Sequence, residues 1–232
     1  MITHDSPIFH WFDALFPRTC HICAAPLPPD VRCICRKCRA ELPRTNFHRV
    51  PDNAMERRFM GRFPFERATG FFFYSRESAL SVLIQDFKYR RFPGVARELG
   101  RLVASELYTT PFFNGVDIIL PVPLHWRKLI RRGYNQSLEI ARGISEVTGI
   151  PVGDQLYALH HHRTQTSLSQ EQRLLNTQGI FAVRHPEQIS GKGVLIVDDV
   201  CTTGATVSSA AGAVAQAIGS GRLSILTLGV TF

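Results

Sequence analysis

A chain of 232 residues with 44% hydrophobic content carries enough apolar material for one α/β domain and a small extra module, which excludes a disordered chain. Its formal charge of +8, half of it within residues 1–64 (10 Lys/Arg against 6 Asp/Glu), favours phosphorylated ligands and permits nucleic-acid contacts. The apolar runs are too short for a membrane span and the N-terminus lacks the charged start and apolar core of a signal peptide, so a cytoplasmic protein is expected.

Ile8, Phe9, Phe12, Leu15 and Phe16 recur at helical spacing and predict a short amphipathic helix packed on its neighbours. It has no basic face, which disfavours a membrane-surface role. Five of the six cysteines then fall between positions 20 and 38, as Cys20-His21-Ile22-Cys23 and Cys33-Ile34-Cys35-Arg36-Lys37-Cys38. In a cytoplasmic chain such clustering favours a metal over disulfides. The two-residue spacing lets both sulfurs of a knuckle reach one ion, so Cys20, Cys23, Cys35 and Cys38 are the expected ligands, with Cys33 the open substitute. Four thiolates make a closed, structural zinc site, and metal binding would supply folding energy to a segment with little core. The alternative is a set of free thiols. His21 is expected to be solvated.

Residues 40–68 mix Pro, Arg and Asn with sparse apolar residues and read as a linker or irregular connection. A strand is expected near Ala68–Tyr74 and a helix over Ser78–Tyr89, with Leu80, Leu83, Ile84 and Phe87 on one face. That helix ends in Lys88-Tyr89-Arg90-Arg91, either cations at a helix C-terminus or a phosphate or nucleic-acid contact. A second helix spans Val95–Leu107. Gly115–Val122 reads as a buried strand stopped by Pro121-Val122-Pro123-Leu124. The basic stretch from Arg127 to Ser137 is expected as a loop, solvated or binding an anion such as pyrophosphate, before a helix from about Ser137 to Val147.

A strand is expected at Leu156–His161. His160, His161 and His162 are poor metal ligands there, because consecutive strand residues face opposite ways. The polar run 163–179 reads as a lid, followed by short strands at Ile180–Val183 and Arg222–Thr231. Between these two strands lies the most informative stretch. Val194–Val197 is a buried parallel strand ending in Asp198 and Asp199; Cys201 to Thr206 form a small hydroxyl-rich loop; an Ala-rich helix runs from Ala205 to Ile218. Hydroxyls, a glycine and a helix N-terminus suit a phosphate monoester, and paired carboxylates suit ribose hydroxyls with Mg²⁺ nearby. Simple helix capping is the alternative, but capping needs one such residue, not a run.

Four apolar residues, an acidic pair and Thr-Thr-Gly-x-Thr resemble the binding motif for 5-phosphoribosyl 1-pyrophosphate (PRPP) in type I phosphoribosyltransferases. With the double Cys-x-x-Cys module, Phe87-Lys88-Tyr89, Pro121-Val122-Pro123-Leu124, Arg132-Gly133-Tyr134-Asn135-Gln136, Gln165, Leu168-Ser169, Arg173 and Asn176, nearly the whole chain resembles the ComF/GntX family. That resemblance implies an α/β fold, a type I phosphoribosyltransferase-like parallel sheet flanked by helices. A small N-terminal zinc module with linker would occupy residues 1–60 and the transferase-like domain residues 61–232.

The resemblance further implies that Asp198 and Asp199 hold the ribose hydroxyls while Cys201, Thr202, Thr203, Gly204, Ala205 and Thr206 wrap the 5′-phosphate. Residues from Pro123 and Leu124 to Lys128 would form the pyrophosphate loop, with Arg127 or Lys128 steadying the leaving group, and residues 163–176 would close over the ligand. The implied ligand is PRPP or a related ribose 5-phosphate with Mg²⁺, beside structural Zn²⁺. The implied activity is phosphoribosyl transfer or sensing. The alternative is a non-catalytic DNA-uptake accessory that binds single-stranded DNA or competence and replication proteins.

Overall fold

Four parallel strands carry the molecule: β1 (Arg67–Phe73), β2 (Ile118–Pro121), β5 (Gly193–Cys201) and β6 (Arg222–Val230), in the spatial order β1-β6-β5-β2. The structure, a computed structural model, describes residues 18–159 and 180–232. The expected helix at residues 8–16, His160–His162 and the lid at 163–176 lie outside them.

Because the strands are parallel, each must return through a crossover, and the crossovers cover both faces with helices. This is why Val194, Leu195, Ile196 and Val197 are all buried. Alternate residues point to opposite faces. Leu195 and Val197 join Phe71, Leu99, Ile140 and Leu226 in one core, and Val194 and Ile196 join Met55, Phe59, Val207 and Ile225 in the other. The first core lies under α3 (Ala79–Tyr89), α4 (Pro93–Leu107) and α6 (Gln136–Thr148); the second lies under α2 (Ala54–Phe59) and α7 (Ala205–Ile218).

Helices α4 and α6 approach unusually closely. A Cβ on Gly100 would lie 2.3 Å from the Ile140 carbonyl oxygen, and one on Gly143 would lie 2.1 Å from that of Arg97. Arg97 also pairs with Glu139 at 2.7 Å across the same interface. The N-terminus of α6, which reaches the carboxyl end of the sheet, is therefore held by backbone-to-backbone packing.

Two stretches differ from their sequence expectation. Residues 40–68 do not form a loose connection. Thr45 donates to the Phe71 carbonyl and Phe73 to that of Pro43, adding a short antiparallel segment beside β1. The six-residue α2 then begins with a capping box between Asn53 and Glu56 and buries Met55 and Phe59. So short a helix shows only two buried apolar positions, too few to register as a period. The basic stretch after Leu124 is likewise a helix, α5 (Trp126–Arg132), and not a loop. His125 Nδ1 accepts from the Arg127 N–H and Gly133, at φ +83°, ends it. Arg, Lys and Leu are good helix formers, but none of the α5 residues is buried, so no apolar face marks it in the sequence.

Further on, β3 (Leu156–Ala158) and β4 (Phe181–Val183) form a separate antiparallel pair. Around the cysteines, α1 (Arg36–Glu41) follows the second knuckle. Among the described residues no helix is long and apolar enough to cross a membrane.

Candidate functional site

The carboxyl ends of β2 and β5, the start of α6 and the end of α3 converge on one spot. Strand β5 runs further than the apolar run suggests. It stays in register with β6 through Asp198 opposite Thr227 and Cys201 opposite Val230. The acidic pair is thus part of the strand, held by ladder hydrogen bonds, and the loop shrinks to Thr202-Thr203-Gly204.

Asp198 Oδ1 accepts from Ser137 Oγ at 2.8 Å and from the Asp199 N–H at 2.8 Å. Asp199 Oδ1 accepts from the Val200 N–H at 2.6 Å, and its other oxygen pairs with Lys88 Nζ at 2.8 Å. Burial, reinforced by the neighbouring Asp199 charge, pushes the Asp198 carboxyl up to about 7, against the pull of its hydrogen bonds and Lys88. Two adjacent carboxylates at one strand end are a like-charge pair, and Lys88 is the counter-ion that makes the arrangement tolerable.

The loop that follows is open to solvent. Thr202, Thr203, Ala205 and Thr206 are exposed, whereas Gly204 is buried in the left-handed conformation at φ +80°. As N-cap of the 14-residue α7, Gly204 contributes no side-chain cap, so the helix start keeps donors available for an anion. A Cβ there would also meet Phe59 and Arg58 at 3.0–3.1 Å. Arg58 clamps the loop from behind. Its guanidinium donates to the Thr202 carbonyl and, at 2.6 Å, to that of Thr231, while stacking over Phe232.

Cys201, expected in the phosphate loop, instead ends β5 with its side chain buried in the core, and burial raises its thiol. Pro123 and Leu124 leave β2 beside β5, at the same end of the sheet as Asp198, and Asn135 Nδ2 donates to the Val122 carbonyl to hold that exit. Arg127 and Lys128 are exposed on α5, with the Arg127 guanidinium over the Trp126 ring. Among the described residues no ion pair or hydrogen bond joins either side chain to the acidic pair. Lys88, Ser137 and Arg58 are the side chains that sequence reasoning did not assign here. Phe87-Lys88-Tyr89 stood out as a motif, but nothing in the chain pairs Lys88 with a residue 111 positions away.

The second cluster is the cysteine module. The sulfurs of Cys20, Cys23, Cys35 and Cys38 lie within 4.8 Å of one another. The Cys35 N–H points at Cys20 Sγ and the Cys38 N–H at Cys35 Sγ, the donors a bound thiolate needs. Burial opposes ionisation of Cys20, but the N–H groups of Cys35, Cys23 and Ile22 outweigh it and bring the thiol down to about 6. Donor set and geometry therefore suit a metal ion such as zinc. Cys33 stands outside the cluster, buried in the first core, where burial and the nearby Glu98 push its thiol up to about 11.

His21 is not solvated. Its Nδ1 lies 2.6 Å from Asp86 Oδ2, and its ring meets Phe92 edge-on. Asp86, only 3% exposed, also receives Arg90 at 3.1 Å. The cysteine module thus docks on the last turn of α3, two residues from Lys88.

Against this geometry, residues 103–218 match the family model of the phosphoribosyl transferase domain. "DNA utilization protein YhgH" of Escherichia coli strain K12 is 30% identical over 196 residues, 83% of this chain and 82% of that protein. The chain belongs to the ComF-like family of type I phosphoribosyltransferase-domain proteins. "Competence protein F" of Haemophilus influenzae is 32% identical over 134 residues, 56% of this chain, a match that spans only 58% of that relative's length. Among solved structures, the glutamine PRPP amidotransferase of Bacillus subtilis complexed with ADP and GMP is 22% identical. It covers 61% of this chain and 30% of its own, at a TM-score of 0.43.

Proposed function

We propose that this ComF-like chain binds PRPP with Mg²⁺ and transfers, or senses, its phosphoribosyl group. The observation that carries the reading is the placement of Asp198 and Asp199 at a parallel strand's carboxyl end, beside an exposed Thr/Gly turn and an uncapped helix start.

The 5′-phosphate would take the Thr202–Thr206 donors and the positive end of α7. Asp198 and Asp199 would accept from the ribose hydroxyls. Bound Mg²⁺, whose oxygen-ligand chemistry suits this acidic pair, would supply charge neutralisation on the pyrophosphate. In transfer, the C1–O bond breaks with its electron pair leaving on pyrophosphate. An incoming amine or ring nitrogen gives C1 a new pair and loses its proton. The acidic pair, held by Ser137 and backbone N–H groups, orients the sugar and stabilises positive charge developing at C1. The cysteine module would hold structural Zn²⁺ through Cys20, Cys23, Cys35 and Cys38.

A DNA-handling accessory role is the second reading, favoured by the names of the Escherichia and Haemophilus relatives and by the excess of basic residues. Calorimetric titration of PRPP–Mg²⁺ into the wild type and into Asp198→Asn/Asp199→Asn separates the two. Binding that disappears in the variant supports the transferase-type site. A zinc-loaded, folded wild type that takes no PRPP removes it and leaves the accessory role.

A further inference from the structure

The cysteine module and the acidic pair both reach the last turn of α3. His21 sits between two of the clustered thiols, Cys20 and Cys23, and its own N–H donates to the Cys33 carbonyl of the second knuckle. Its ring Nδ1 reaches Asp86 Oδ2 at 2.6 Å. A carboxylate only accepts, so Nδ1 carries the proton and donates. Two residues further on, Lys88 holds Asp199 at 2.8 Å. Positions 86 and 88 are about 200° apart around the helix, so one turn presents one side to the module and the other to the acidic pair.

The last turn of a helix leaves its carbonyls without intrahelical partners, and side chains from elsewhere hold this one. The Tyr134 hydroxyl donates to the Phe87 carbonyl. Phe87 shares the first core with Cys20, Cys33, Ile34 and Cys38. Asp86 is buried, whereas its other cation, Arg90, is 68% exposed and screened by solvent. His21, itself mostly buried, is therefore the partner that keeps this carboxylate compensated inside the protein.

With metal bound, Cys20 and Cys23 are anchored on either side of His21, and the imidazole is aimed at Asp86. Without it the knuckle loosens and Asp86 loses its buried partner. A buried charge stripped of its partner is costly, and a shift of the turn that carries Asp86 to water relieves it. Lys88 moves with that turn. Asp199 is then left beside Asp198 without its cation, and two adjacent carboxylates resist ionising together.

We propose that His21 is a positioning residue that couples metal occupancy of the cysteine module to the acidic pair, by ordering the turn of α3 that presents Lys88 to Asp199. This rests on the ribose-phosphate reading of the acidic pair and deepens it, because the zinc module then sets the affinity of that site besides stabilising the fold.

The test uses the full chain. Metal analysis should find one zinc in the wild type and in His21→Ala, since all four thiols remain. Amide hydrogen exchange then reads residues 87–90. Their protection is expected to fall at least about fivefold when zinc is removed from the wild type, and as much in zinc-loaded His21→Ala. Unchanged protection in either overturns the proposal.

Calorimetric titration should show ribose 5-phosphate binding weakened at least about fivefold in zinc-loaded His21→Ala. Linkage requires the reverse as well. Saturating ribose 5-phosphate should tighten zinc, measured against a competing chelator, by the factor by which zinc tightens ribose 5-phosphate. That gain should vanish in His21→Ala, whereas a merely structural role for His21 would leave it in place. An equal gain in the two proteins overturns the proposal. Should His21→Ala fail to fold or to hold zinc, Asp86→Ala breaks the same contact from the α3 side, and the same losses are expected of it. A wild type that takes no ribose 5-phosphate, while its exchange protection falls as expected, removes the ribose reading alone.

Discussion

Lys88 Nζ lies 2.8 Å from Asp199 Oδ2, joining the end of α3 to the end of β5 across 111 residues of chain. Both side chains are mostly buried, at 18% and 13% exposure, so the pair is more than a surface contact. Breaking one partner of such a pair leaves the other uncompensated. Lys88→Met is expected to destabilise by about 2–4 kcal/mol, less than for a fully buried pair. Lys88→Met/Asp199→Asn should recover much of that loss. Urea denaturation of the two singles and the double gives the coupling energy, and additive losses would show that the two residues act independently.

Asp198 makes stability depend on pH in a definite direction. Its carboxyl sits at about 7 in the fold against the 3.8 of an ordinary aspartate. Below the unfolded value both states are protonated and the group contributes nothing to pH dependence. As pH rises from about 4 to about 7 the unfolded chain gives up its proton first, so stability falls through that window and levels off above it. The urea midpoint of the wild type should decline from pH 5 to pH 8 more steeply than that of Asp198→Asn. Ribose hydroxyls and Mg²⁺ both favour the ionised carboxyl, so PRPP–Mg²⁺ binding should release a proton near pH 6.5 and much less at pH 8.5. Titration in buffers of different ionisation enthalpy measures this, and an equal release at both values would remove Asp198 from the contact.

The cysteine cluster predicts selective metal loss. Cys38→Ser should reduce bound zinc below one ion per chain, whereas Cys33→Ser should retain it, because Cys33 lies in the core away from the other sulfurs. Metal analysis of the two purified variants decides this. A strong chelator should lower the melting temperature of the wild type. The effect should fall short of the roughly 10–16 kcal/mol of isolated zinc-finger peptides, since Cys20 and Cys38 also share the first core with the α/β domain.

Gly143→Ala tests the close contact of α4 with α6. The new methyl carbon would need the space 2.1 Å from the Arg97 carbonyl oxygen, where only backbone could give way. A loss of at least about 1–3 kcal/mol is expected, against the small gain that alanine brings to an open helix position. Thermal denaturation reads this directly, and a more stable variant would mean that the two helices separate freely.

Much of the frame was legible in the chain. The Ala-rich helix from Ala205 to Ile218 has the limits expected, because Gly204 and Gly219 bracket an uninterrupted run of helix-compatible residues. The helices at Ala79–Tyr89 and Gln136–Thr148 fall within a residue or two of expectation, since their apolar spacing is regular. Helix α2 was hidden because its burial rests on two residues that meet partners far along the chain. Helix α5 was hidden because it buries nothing. Strand β5 outruns its sequence signal because apolar character stops at Val197, while the backbone pairing that defines a strand continues to Cys201.

The sequence by itself determined the chemistry available: an acidic pair after an apolar strand, a hydroxyl turn before a helix, and thiols at metal-binding spacing. These are local patterns, and local patterns survive in one dimension. Only the tertiary structure decided which charge answers which. It placed Lys88 on Asp199, Ser137 on Asp198, Arg58 behind Thr202 and His21 on Asp86. It also left Arg127 and Lys128 on an exposed face while gathering Arg91, Arg131 and Arg132 around one cleft. Electrostatic partnership falls off over a few ångströms of space, and sequence distance does not measure that.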